Sequence, residues 1–182
     1  MIRIILAGVI LMLLSACTQT LKPKPTTKHV AKPKVMKHHA MKMNTKMFQT
    51  VDAKDAHLVQ KGEHKNSCIV CGMNLVKFYK TSHTAVDEGV EKQYCSIHCL
   101  ASDLAKGKEL QNPMVVDTKT LKFIPVLEAY YVVGSDVKGT MSRVSKYAFS
   151  SLSDAKKFQA KHGGEIMDFR AALDKAKEDF KH

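Results

Sequence analysis

Hydrophobic and polar positions divide the chain into three stretches. Residues 4–14 are uncharged and almost wholly apolar, residues 18–66 carry few large apolar side chains, and from Ser67 onward short apolar runs alternate with polar segments. In the last stretch, β-branched and aromatic residues predict strands over 75–80, 84–94, 114–126, 129–133, 146–150 and 165–169, punctuated by Gly89, Gly134 and Gly139. Helical spacing predicts helices over 98–106, 152–161 and 170–180. In the second of these Leu152, Ala155 and Phe158 share a face, Ser151 or Ser153 is placed to cap it, and Gly163 follows its end. The order strand, strand, helix, strand occurs around 75–126 and again around 129–169. The expected fold is therefore α+β, with tandem ββαβ units over about 67–127 and 128–182 sharing a compact domain; roughly 115 residues are enough for one core.

The first stretch reads as an export signal. Arg3 precedes an apolar run too short to span a bilayer comfortably, and Leu14-Ser15-Ala16-Cys17 forms a lipobox. Residues 1–16 are expected to be cleaved, leaving Cys17 lipidated as the first residue of a membrane-anchored protein facing the periplasm. Thr18 stands where an aspartate would favour inner-membrane retention, which favours the outer membrane.

Charge then separates a tether from the domain. Residues 18–66 contain eleven lysines and three acids, a balance of +8; residues 67–182 contain seventeen Lys plus Arg and fourteen acids, a balance of +3. With Pro23, Pro25 and Pro33 among lysines and threonines, residues 17–66 are expected to form a lipid-anchored flexible tether. Its basicity suits anionic lipid headgroups, and no nucleic-acid motif accompanies it. The tether also gathers Met36, His38, His39, Met41, Met43 and Met47, whose thioethers and imidazoles are copper ligands when brought together.

The domain's densest chemistry is Cys68-Ile69-Val70-Cys71-Gly72-Met73. A two-residue gap lets a tight turn aim both thiols at one point, and Gly72 supplies the backbone freedom to swing Met73 toward it. A second motif, Cys95-Ser96-Ile97-His98-Cys99, falls at a strand-to-helix junction, with Cys99 about one helical turn beyond Cys95. Together they read C-x2-C-x23-C-x3-C. Three readings compete: soft sulfur donors for Cu(I), a four-thiolate zinc site, and disulfides or thiol-disulfide exchange in an oxidising compartment. Met73 and the Met/His tether favour copper, with Met141 in Gly139-Thr140-Met141-Ser142 a further candidate donor. His83 and His162 are read as structural. The absence of a nucleophile elbow, a phosphate-cradling loop and a paired-carboxylate motif places the chain outside the common enzyme classes.

These motifs, followed by Tyr131-Val132-Val133-Gly134-Ser135-Asp136, Ala148-Phe149-Ser150 and His162-Gly163-Gly164-Glu165, resemble the nitrous oxide reductase accessory lipoproteins called NosL over most of residues 67–170. The resemblance implies a tandem pair of ββαβ units similar to part of organomercury lyase. It also implies a Cu(I) metallochaperone that delivers to nitrous oxide reductase or its assembly machinery. Carried over, the copper site falls on Cys71 and Met73, with Cys68 close by and Met141 as a loop donor. Thr140 and Ser142 stand where the family usually has proline and glycine, Cys99 is additional, and the Met/His tether is unusually rich.

Overall fold

The computed structural model describes residues 46–179. The first unit comprises β1 (His83–Asp87), β2 (Val90–Tyr94), helix α1 (Ile97–Ala105) and β3 (Gln111–Val116), followed by a short β4 (Phe123–Pro125). The second comprises β5 (Tyr130–Val133), β6 (Lys146–Phe149), helix α2 (Leu152–His162) and β7 (Glu165–Met167), followed by helix α3 (Phe169–Glu178). The sheets run β2-β1-β3-β4 and β6-β5-β7, and their strands pair antiparallel. In both units the first strand lies between the second strand and the strand that follows the helix, as the expected tandem ββαβ plan requires.

Local chemistry sets the boundaries. The predicted strand over 84–94 is a hairpin: Glu88 and Gly89 both adopt positive φ, 51° and 77°, as a two-residue type I′ turn demands. The stretch over 114–126 likewise divides into β3 and β4, which pair with each other. Helix α2 begins where the Ser151 side chain accepts from Ser153 N and ends at Gly163 with φ 70°. Phe169, expected at a strand end, instead opens α3, because the Asp168 side chain accepts from Ala171 N and caps the helix.

Two expectations need correction. The segment 75–80 is a turn and a short 3-10 helix over Tyr79–Thr81, not a strand. Its fully buried side chains, Leu75 and Tyr79, stand four residues apart, and Asn74 Oδ1 accepts from Lys77 N. The tether expected to run to residue 66 also ends earlier, since residues 46–66 pack on the domain. Phe48 meets Tyr147 edge-on at 5.2 Å between ring centroids, Gln49 Nε2 donates to Lys138 O at 2.6 Å, and His57 N donates to the Tyr79 hydroxyl at 3.0 Å. Its few apolar residues fall at no regular period, so their burial left no pattern to read.

The main core draws on both units. Leu75, Tyr94, Ile97, Leu100 and Val115 from the first pack with Tyr131, Phe169, Ala172 and Ala176 from the second. Asp117 reinforces the join, accepting from Lys119 N, Thr120 Oγ1 and Ser150 Oγ, while Thr118 N donates to Ala148 O at 2.8 Å. Among the described residues no helix is long and apolar enough to cross a membrane.

The packing of residues 46–66 predicts that Phe48→Ala lowers unfolding free energy by about 2 kcal/mol, below the range for a fully buried aromatic because Phe48 is only partly buried. Urea denaturation measures this. An unchanged midpoint would show that the segment adds nothing to the fold.

Candidate metal centre

The first pair of thiols lies on a closed turn. Cys68 N donates to Met73 O at 2.8 Å, Gly72 N donates to Cys68 O at 2.9 Å, and Ser67 bridges Asn74. Gly72 takes φ 73°, a left-handed conformation that a side chain would strain, so the turn can close with Met73 pointing back. Ile69 N donates to Gln93 O at 3.1 Å, fastening this turn to the edge of β2 two residues before Cys95.

The second pair is presented by the start of α1. Cys95 follows β2, Ser96 is the N-cap residue, and Cys99 lies in the first turn of the helix. Positive partial charge at a helix N-terminus favours thiolate character nearby.

The two motifs converge. All four cysteine sulfurs lie within 4.8 Å of one another, and none forms a disulfide. Cys71 Sγ and Cys95 Sγ are 3.5 Å apart, Cys95 and Cys99 3.7 Å, and Cys99 and Cys71 3.6 Å, well beyond a ~2.05 Å disulfide bond. An ion centred in this triangle would lie about 2.1 Å from each sulfur, and a small displacement toward a fourth sulfur gives the ~2.3 Å of a zinc-thiolate bond. Met73 Sδ stands 4.0 Å from Cys95 Sγ, adding a soft thioether. Cys68, Cys95 and Cys99 are buried, whereas Cys71 is exposed. Beside the turn a groove of about 750 Å³, lined in part by Lys61, His64, Cys68, Ile69 and Lys92, opens to solvent.

Crowded sulfurs cannot ionise independently. Hydrogen bonds from Cys95 and Cys99 hold the Cys68 thiol far below its ordinary range, against the opposing effect of burial. Its proximity to Cys68 and Cys99, together with burial, pushes the Cys95 thiol far up. Cys99 is raised chiefly by its hydrogen bond to Cys68 and by burial. Cys68 thus favours the thiolate while Cys95 and Cys99 favour their protons, and a soft cation would replace those protons.

A second layer of polar contacts escaped the sequence reading. Thr81 Oγ1 donates to Cys95 O at 2.8 Å and meets the Thr140 hydroxyl at 2.8 Å, linking the cluster to the 139–145 loop. Asp179 Oδ2 accepts from Ser142 Oγ, His98 Nε2 and Lys146 Nζ at 2.6, 2.7 and 2.8 Å. Burial opposes ionisation of Asp179, but Lys146, Ser142 and His98 together outweigh it and bring the carboxyl down to about 2. Sequence spacing offered no signal for partners 37 and 81 residues apart.

Other expected site residues fare differently. Met141 is 48% exposed, on the loop 139–145. Met47 is also exposed, on the segment leading into the domain. Cys17, Met36, His38, His39, Met41 and Met43 lie outside the described residues. His83 is a buried structural residue, its ring nitrogens 3.0 Å from Thr81 O and 3.1 Å from the Tyr131 hydroxyl. At the end of α2, His162 pairs with Asp136 at 2.9 Å and its ring lies 4.7 Å from that of Phe158.

Comparison with known proteins places the chain in a family. The family model NosL matches residues 58–176. The copper-binding lipoprotein NosL of Stutzerimonas stutzeri is 29% identical over 119 residues, covering 57% of this chain and 60% of that relative, so the chain spans less than two thirds of the relative's length. A crystal structure of the copper chaperone NosL from Shewanella denitrificans aligns with a TM-score of 0.49 and 24% identity, over 61% of this chain and 92% of that one. Because the family model covers more than half of the sequence and takes in both cysteine pairs, Met73 and Met141, this chain belongs to the NosL family.

Proposed function

We propose that the chain is an exported lipoprotein that binds Cu(I) through Cys68, Cys71, Met73, Cys95 and Cys99 and surrenders it to a copper-receiving protein. The observation that carries this reading is a compact soft-sulfur cluster with Cys71 exposed and the other three thiols buried. Cu(I) prefers thiolate and thioether donors, and a mostly apolar surround discourages its loss to water. An exposed ligand gives an incoming donor a place to begin: its sulfur binds as Cys71 leaves, and the remaining contacts follow by exchange. The proposed recipient is nitrous oxide reductase or the machinery that assembles it, as the sequence resemblance implies; membership of the NosL family and a copper-binding relative support a copper-delivering role. No bond-making catalysis is required.

In this reading Met36, His38, His39, Met41, Met43 and Met47 are auxiliary donors that collect the ion, and Met141 is an additional loop donor. Lipid on Cys17 holds the protein to a membrane, facing the periplasm, with the outer membrane favoured by Thr18.

A zinc-stabilised interaction module is the second reading. It is favoured by sulfur separations that suit a single four-thiolate ion. A thiol-disulfide oxidoreductase has less support: Cys68 and Cys71 sit on a turn that does not open a helix, and the first of the pair is the buried one.

Anaerobic Cu(I) titration against a chromophoric chelator should show Cys71→Ser and Met73→Leu weakening affinity by at least about tenfold, the lower end of what is lost even when a ligand's outer-shell partner is removed. Deleting residues 18–45 should reduce the copper captured per chain. Unchanged competition in all three variants would overturn the site assignment. Equimolar zinc retained after purification, with cooperative unfolding on chelation, would favour the closed structural site instead.

The protonated state of Cys95 and Cys99 gives the pH dependence its sign. Their protons must depart when the metal binds, so affinity should rise with pH between 6 and 8, by about tenfold per pH unit for each proton displaced. The same chelator competition at several pH values, corrected for the chelator's own protonation, measures the slope. A flat profile would exclude Cys95 and Cys99 as ligands.

A further inference from the structure

The loop 139–145 is fastened on both sides of Met141. On one side the buried Thr140 meets Thr81, which donates to the carbonyl of Cys95. On the other, Ser142 Oγ donates to Asp179 Oδ2 at 2.6 Å and accepts from Val144 N at 2.9 Å, so one hydroxyl both ties the loop down and shapes it. The same carboxylate oxygen accepts from His98, the residue before Cys99, and from the buried ammonium of Lys146 on β6. The two ties therefore end at the start of α1: one at Cys95 just ahead of the helix, the other at His98, the neighbour of Cys99 within it.

Backbone strain falls between these ties. Met141 has φ 65°, in the region that favours glycine, and such a conformation persists where its surroundings impose it. The loop is also tightly folded, since a Cβ on Gly139 would lie 2.6 Å from Ser142 O. A solvent-seeking methionine would need neither constraint. Here the thioether is held exposed on a strained, doubly fastened loop joined to the cysteine-bearing helix.

We infer that Ser142 and Asp179 are positioning residues, a latch between the two units that holds Met141 ready to serve as an additional thioether donor for copper at the sulfur cluster. This rests on the copper reading given above. Neither residue touches the metal: Ser142 sets the loop, and Asp179 joins it to α1 and β6. Because Lys146 and His98 still engage Asp179 when the serine hydroxyl is absent, Ser142→Ala opens the latch while leaving the buried ion pair in place.

The experiment is a double-mutant cycle in Cu(I) affinity on the full mature chain, by anaerobic chelator competition. Met141→Leu should weaken binding. Ser142→Ala should weaken it by about three- to tenfold alone and have no further effect in the Met141→Leu background, the non-additivity expected of residues acting through one contact. Ser142→Thr, which keeps the hydroxyl, should restore the affinity, and Asp179→Asn should show the same dependence on Met141. Urea midpoints should be near wild type for Ser142→Ala and lower for Asp179→Asn, which leaves Lys146 without its counter-charge. Equal weakening by Ser142→Ala in both backgrounds, or none in either, overturns the latch alone. No effect of Met141→Leu overturns both the loop donor and the latch, while an effect of Cys71→Ser would leave the copper reading standing.

Discussion

Four sulfurs within 4.8 Å of one another impose the constraint on which the rest of the structure depends. Like charges at that separation in a partly apolar surround oppose one another, and the hydrogen bonds among them pull the Cys68 thiol down while Cys95 and Cys99 are pushed up. A soft cation would resolve this conflict by supplying a countercharge. Lys61 and Lys92 line the neighbouring groove together with Cys68.

The fold brings these sulfurs together by joining two elements with different freedoms. A closed turn presents Cys68, Cys71 and Met73, and it is tied to β2 by the single backbone bond from Ile69 to Gln93. A helix start presents Cys95 and Cys99, anchored at its far end by Tyr94, Lys106 and Lys108 around Asp103. Cys68, Cys95 and Cys99 belong to the same core as Tyr131 and Phe169, so the second unit supports the thiols without contributing a cysteine. The relation between the halves is one of shared topology and divided labour.

The sequence revealed the parts that depend on short-range chemistry. The Cys-x-x-Cys turn, the helix start after Cys95, the cap at Ser151 and the glycine stop at Gly163 each leave a signal within a few residues. The doubled ββαβ order followed from those same elements. Where the reading failed, the determinants were distant or aperiodic. Leu75 and Tyr79 look strand-like in an apolar run, yet Asn74 turns the backbone and both are buried at helical spacing. Phe48 and Val51 lie in a lysine-rich stretch whose composition resembles a linker, and their burial depends on Tyr147 and Val76, contacts that only tertiary structure reveals. Asp179 was invisible as part of the site because its three partners come from α1, β6 and the 139–145 loop.

The unequal exposure of the four cysteines sets how the cluster meets oxidants. Core packing shields Cys68, Cys95 and Cys99 from dissolved peroxide and other small oxidants, so chemical damage to the cluster has its point of attack at Cys71. Any protein, metal or small thiol that covers that one sulfur protects the other three as well.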